Sequence, residues 1–137
     1  MTKNNLLLLF FLFSFFFVIY ARSDAPPLIE RMKAFECKVK TTNRDLMKEA
    51  HSLLRPAAQV LSKSSLNEKD LLKETLKVTL CTHKYDEDFE GVEIIEDIAL
   101  DRPKFFYDIL KEFPKVDQKS IKDDLEILES IRVNGNG

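Results

Sequence analysis

Leu46-Met47-Lys48-Glu49-Ala50-His51-Ser52-Leu53-Leu54-Arg55-Pro56-Ala57-Ala58-Gln59-Val60-Leu61 is the stretch from which the fold is read. Leu46, Ala50, Leu53, Leu54, Ala57 and Leu61 recur at helical spacing and form one apolar stripe. A stripe of this kind needs other apolar elements to cover it, because short helices in water gain little from propensity alone. Pro56 stands inside the stripe. It has no N–H and crowds the preceding turn, which predicts a kink near Leu53. The stripe keeps its phase across Pro56, so the reading is one kinked helix and not two. Thr42-Asn43-Arg44-Asp45 supplies the start, with an acid three residues after the threonine.

Working outward, the same period recurs on both sides. Upstream, Pro26 and Pro27 suit a first helical turn, and Leu28, Met32, Phe35 and Val39 make a second stripe. Cys37 falls on the face opposite that stripe. Downstream, Ser65-Leu66-Asn67-Glu68 reads as a capping box ahead of Leu71, Leu72, Thr75, Leu76, Val78, Thr79 and Leu80. Cys81 lies near the end of this helix. His83 keeps phase with Leu72, Leu76 and Thr79 and is expected to be hydrogen-bonded and part-buried. A pH switch is the sharper reading of His83.

Ile94, Ile95 and Ile98 predict a short helix. Asp101-Arg102-Pro103 predicts a restart, with Asp101 as N-cap and Pro103 in the first turn. Phe105, Phe106, Ile109, Leu110 and Phe113 then share a broad face that ends at Pro114. A last helix is expected from Ser120, with Ile121, Leu125, Leu128 and Arg132 in phase. Asn134-Gly135-Asn136-Gly137 reads as a flexible, frayed tail. No segment alternates with period two long enough for a strand. The fold class expected is all-α: a small irregular bundle of about five helices, four long and one short, joined by short connections.

The N-terminus reads as an export signal. Lys3 precedes the apolar run Leu6–Tyr20, and Ala21-Arg22-Ser23 offers small residues for a cut before Asp24. Retention as an anchor is the rival, but Leu6–Ala21 falls short of the ~20 apolar residues of a spanning helix. The expected division is therefore a cleaved signal peptide over 1–23 and a single helical domain over 24–137, secreted and extracellular. Removing Lys3 and Arg22 from the 21 basic residues leaves 19 against 23 acidic ones, a charge of −4. An acidic domain without a basic cluster argues against nucleic acid as partner, and after cleavage no membrane association is expected.

Export gives the cysteines their meaning. Cys37 and Cys81 are the two in the chain, and an oxidising compartment favours pairing. A bridge would close a loop of about 45 residues, worth on the order of 4 kcal/mol in the chain-entropy account. Two free thiols or a bridge between molecules are the alternatives. Neither cysteine has a metal-ligand spacing with His51 or His83.

The stretch Asp86–Asp97 is the one that could carry chemistry. Against a calcium-binding EF-hand loop, Asp86, Asp88 and Glu90 fall at positions 1, 3 and 5, Gly91 at 6 and Asp97 at 12. Glu93 at position 8, Ile94 at 9 and the lack of a sister loop depart from that pattern. A solvated turn or a dock for a basic partner are its other readings. Phosphate-binding, serine-hydrolase and zinc-protease motifs are missing, so no catalytic, cofactor-binding or metal-binding residue is assigned and no cofactor is expected. The leading functional expectation is a secreted, non-enzymatic binding protein for a small apolar ligand or a protein partner. An extracellular domain with a weak calcium site at 86–97 and a small secreted enzyme are the alternatives. A pocket lined by Leu76, Leu80, Phe105 and Phe106 would favour a carrier. A filled core there would favour a protein-binding surface.

Overall fold

The computed structural model describes residues 27–38, 42–63 and 68–135. Helices α1 (Leu28–Lys33), α2 (Asn43–Leu61), α3 (Glu68–Thr82), α4 (Glu90–Asp101), α5 (Pro103–Leu110) and α6 (Lys115–Gly135) follow in order, with a 3₁₀ turn at His83–Tyr85 after α3. Every regular element among the described residues is helical, and Cys37 is joined to Cys81. Their Cα atoms are 5.6 Å apart, an ordinary span for a disulfide. The signal segment 1–23 lies outside the described residues, as do Val39 and most of the Ser65–Glu68 capping box.

The centre of the bundle is α3, which packs against α1, α2, α4, α5 and α6. Leu71, Leu72, Leu76 and Val78 are buried on it, and so are Thr75, Thr79 and Thr82. A buried hydroxyl without a partner is costly. Each of these three donates to a carbonyl one turn back in its own helix: Thr75 Oγ1 to Leu71, Thr79 Oγ1 to Thr75 and Thr82 Oγ1 to Val78, at 2.8–3.0 Å. These three threonines can therefore be enclosed without polar partners from neighbouring helices.

The stripe of α2 faces this axis, with Ala50, Leu54 and Ala57 fully buried. Thr42 caps the helix, its Oγ1 accepting from the Asp45 N–H at 3.1 Å. The helix runs uninterrupted through Pro56 as one element. Leu54, Leu72, Leu76, Ile95, Phe106 and Ile121 belong to one continuous core.

Four boundaries differ from the sequence reading, each for a local reason. Helix α1 stops at Lys33, where the Phe35 N–H turns back to the Met32 carbonyl, so Cys37 lies beyond the helix and not on its far face. The chain leaves helical geometry there to reach Cys81 at the end of α3. Asp101 is the last residue of α4, and Arg102 takes the N-cap position of α5 with Pro103 at its first turn. Glu68 explains why Arg102 is turned inward: it is 5 % exposed and receives the Arg102 guanidinium. Helix α5 ends at Leu110, and α6 begins directly after Pro114, whose carbonyl accepts from Asp117 and Gln118 N–H groups at 3.0 Å. The Gln118 side chain closes the corner by donating to the Phe113 carbonyl at 2.7 Å. Finally, α6 runs through Asn134 to Gly135, where a frayed tail was expected.

The segment 27–38 is held differently from the rest. Among its described side chains only Met32 is fully inside the core, with Leu28 and Phe35 part-buried beside it. Fixing one residue's backbone costs ~1–2 kcal/mol. Burying a methionine returns ~1.5–3 kcal/mol. One such side chain offsets the ordering of only about two residues, and the part-buried Leu28 and Phe35 and the tether at Cys37 add to its hold.

The core assignment predicts a sharp contrast between neighbours on α5. Phe106 is 0 % exposed and Tyr107 39 %. Phe106→Ala should cost about 3–5 kcal/mol in urea unfolding, and Tyr107→Ala under about 1 kcal/mol.

Candidate functional site

The acidic stretch does not fold as a loop. Residues from Glu90 to Asp101 are helical, leaving only Asp86–Phe89 as connection. The ring of oxygens that an EF-hand loop wraps round one ion cannot form along a helix, so residues 86–97 do not have the calcium-loop geometry expected of them. The physical reason is visible at the start of α4. Asp86 Oδ2 accepts from the Gly91 N–H at 2.8 Å, and Glu90 and Glu93 stand in the first turn. Acids gathered at a helix N-terminus meet its unpaired N–H groups and the positive end of its dipole. The run of acids therefore stabilises a helix start.

Gly91 is needed, but not for a sharp turn. A Cβ there would stand 3.2 Å from Asp86 Oδ2 and 3.3 Å from Leu54 Cδ1. The residue is an approach point between α4, the capping aspartate and α2. Phe89, just before it, is left-handed at φ 55°, ψ 20°. A bulky side chain in that region is strained, and such strain persists only where the surroundings over-determine the backbone.

Those surroundings come from α2. Met47, His51 and Arg55 are spaced by four and share one side of the helix. The His51 side chain is 16 % exposed and lies between two carboxylates, with Nε2 3.4 Å from Asp86 Oδ1 and Nδ1 3.2 Å from Glu90 Oε2. Arg55 grips Glu90 with two nitrogens, its outer one 3.0 Å from Oε2. The Asp86 side chain is 3 % exposed. The hydrogen-bonded Arg55 guanidinium, helped by the charge of His51, holds the Glu90 carboxyl below its ordinary range against an opposing push from burial. A shallow cleft lined by Asn43, Met47, Tyr85 and Asp88, and by His51 and Asp86 themselves, opens on this cluster.

A histidine beside carboxylates invites a catalytic reading, which turns on the nitrogen that His51 presents to the cleft. A general base must present a nitrogen to its substrate. Here Nδ1 faces Glu90, and Nε2 is fully buried without a hydrogen-bond partner. The residues lining the cleft include no serine, threonine or cysteine to be activated. Among the described residues no group of three or more His, Cys, Asp or Glu is arranged to hold a metal ion. The cluster's evident work is to pin the 83–90 connection onto α2.

His83 pins the same connection from the other side. It is part-buried, as expected, but in the 3₁₀ turn and not on an apolar stripe. Its Nδ1 lies 2.9 Å from Asp124 Oδ2 of α6. Burial pushes the Asp124 carboxyl above its ordinary range, and the attraction to His83 offsets this only in part.

The aromatic residues expected to line a ligand pocket divide. Phe106 and Leu76 are 0 % exposed and closed within the core. Phe105 is part-buried and opens on a surface groove of about 520 Å³ with Pro103, Ile109, Lys69, Lys104 and Asp108. Arg102 lies over its ring at 4.3 Å. Among the described residues no helix is long and apolar enough to cross a membrane. No protein-family model, curated protein or solved structure matches the chain.

Two outcomes test this site. Gly91→Ala should lower stability by about 1 kcal/mol in urea unfolding, because the displaced Asp86 bond outweighs the gain in helix propensity. Glu90 has a lowered folded pKa, so its contribution is present above the ordinary value of 4.5 and is lost as pH falls through the folded value. The stability gap between wild type and Glu90→Gln should therefore be clear at neutral pH and close in strong acid. An equal gap at both would contradict the Arg55–Glu90 assignment.

Proposed function

We propose that this is an exported, non-enzymatic binding protein that recognises another protein through its surface. One observation carries the choice of surface over interior. Phe106 and Leu76, which a carrier would turn toward its ligand, are closed within the core at 0 % exposure. The surface, by contrast, keeps apolar side chains available. Helix α6 has Gln118, Ile121 and Leu128 buried, while Val116, Ile127, Ile131 and Val133 are exposed. Exposed aliphatic groups on a long helix suit a protein partner better than a small solute, which needs concave burial. Export is supported by the Leu6–Tyr20 run, the small residues before Asp24 and the Cys37–Cys81 bridge, which suits an oxidising compartment.

A second reading keeps a small apolar ligand but moves it to the groove beside Phe105. The apolar side chains of Pro103, Phe105 and Ile109 favour it. Its volume is that of small-molecule sites, yet it lies open on the surface and cannot enclose a ligand as such sites do.

Native mass spectrometry of the protein secreted through its own leader tests both. The expected species starts at Asp24, is lighter by two hydrogens than the reduced chain and carries no small molecule. A retained apolar ligand would move the assignment to the carrier. Retention of residues 1–23 would remove the secreted state from the proposal.

A further inference from the structure

We propose that the Cys37–Cys81 disulfide is a reducible latch, and that opening it releases residues 27–38 while α2 to α6 stay folded. The proposal stands on where the bridge sits and what it holds. Cys81 belongs to α3, the helix that every other helix packs around. Cys37 belongs to the segment after α1, outside any helix. The bridge thus joins the most enclosed element to the least anchored one. Among the described residues of 27–38, Met32 is the single side chain fully inside the core. The remaining buried apolar side chains all lie on α2 to α6, so most of the core is built without α1, which packs on it through α2 and α3. With the bridge intact the segment cannot diffuse away, and each local opening recloses. Without it the segment gains the freedom of an open arm.

The bridge is also within reach of a reductant. Cys37 is exposed and Cys81 half-buried. A cleft lined by Met32, Phe35, Cys37, Glu74, Val78 and Cys81 opens beside the two sulfurs. A dithiol reductant supplies the chemistry. One of its thiolates attacks the Cys37 Sγ, the S–S bond breaks, and the electron pair leaves on the Cys81 Sγ, which takes up a proton. The reductant's second thiolate then displaces Cys37 from the mixed disulfide, and that sulfur is protonated in turn. Two electrons and two protons reach the protein, and the dithiol becomes a disulfide. Cys81 is a poor leaving group at the C-terminal end of a helix, where a thiolate meets the negative end of the dipole. Opening is therefore slow with simple thiols. Once α1 lifts, Val78, 2 % exposed under it, comes into contact with water.

Hydrogen exchange read by mass spectrometry, on the whole secreted chain before and after dithiothreitol, tests the latch. On reduction, the amides of Glu30, Arg31 and Ala34, now bonded to the Pro27 and Glu30 carbonyls, should exchange at least about tenfold faster. Amides of α2, α3 and α6 should keep their protection. Loss of protection throughout the bundle in the same step would overturn the proposal, and so would unchanged protection over 27–38 in fully reduced protein. Limiting reduced glutathione followed by alkylation reads the direction of attack. The mixed disulfide is expected on Cys37, and finding it on Cys81 would overturn the assigned route.

Discussion

The enclosure of α3 is the constraint on which the rest of this structure depends. A helix touched by five others keeps only a narrow solvated strip, at Lys69, Asp70 and Lys77, on which to place polar groups. Its sequence is nevertheless far from purely apolar: Glu74, Thr75, Thr79 and Thr82 are all buried. The threonines resolve the conflict internally by donating to carbonyls of their own helix. Glu74 resolves it at the edge, through Lys77 at 2.8 Å. Once α3 can be surrounded, the stripe of α2, the isoleucines of α4 and Phe106 of α5 close on it as one core.

Polar anchoring is then concentrated where helices meet their connections. His51 and Arg55 of α2 hold Asp86 and Glu90, and Asp124 of α6 holds His83. Arg102 reaches Glu68 across the start of α5, and Arg132 of α6 reaches Glu96 of α4. Each pair joins two elements separated in sequence. Isolated exposed pairs of this kind add little, but buried carboxylates such as Asp86 and Glu68 leave a costly orphan if the partner is lost. Among the described residues both histidines and the buried carboxylates Glu68, Asp86 and Glu96 take part in this anchoring. That anchoring is why the functional reading rests on the surface and not on a reactive centre.

The helices were legible in the sequence because each carries an apolar period. The α2 stripe and its Thr42 cap and the run Leu71–Leu80 follow from spacing, and the Cys37–Cys81 pairing is expected from the even cysteine count and the proposed export. The boundaries were less legible. Helix α1 ends at Lys33, four residues before a cysteine whose partner lies 44 positions further on, and no local residue announces it. The acidic stretch was misread for a related reason. Asp86, Asp88, Glu90 and Gly91 match a calcium loop in one dimension, but His51 and Arg55 arrive from α2 and turn the same acids into a capped helix start. A hint was present in the fourfold spacing of His51 with Arg55 and of Asp86 with Glu90. It becomes informative only once α2 is known to face that segment.

A filled interior around α3 is the claim that ties fold to function, and methyl NMR with benzene as a probe tests it most directly. Benzene enters apolar cavities of about 150 Å³ when they exist. The methyl resonances of Leu54, Leu72, Leu76 and Ile95, all 0 % exposed, should stay unmoved as benzene is raised to saturation. Saturable shifts at these methyls would reveal an interior site and contradict the surface-binding account.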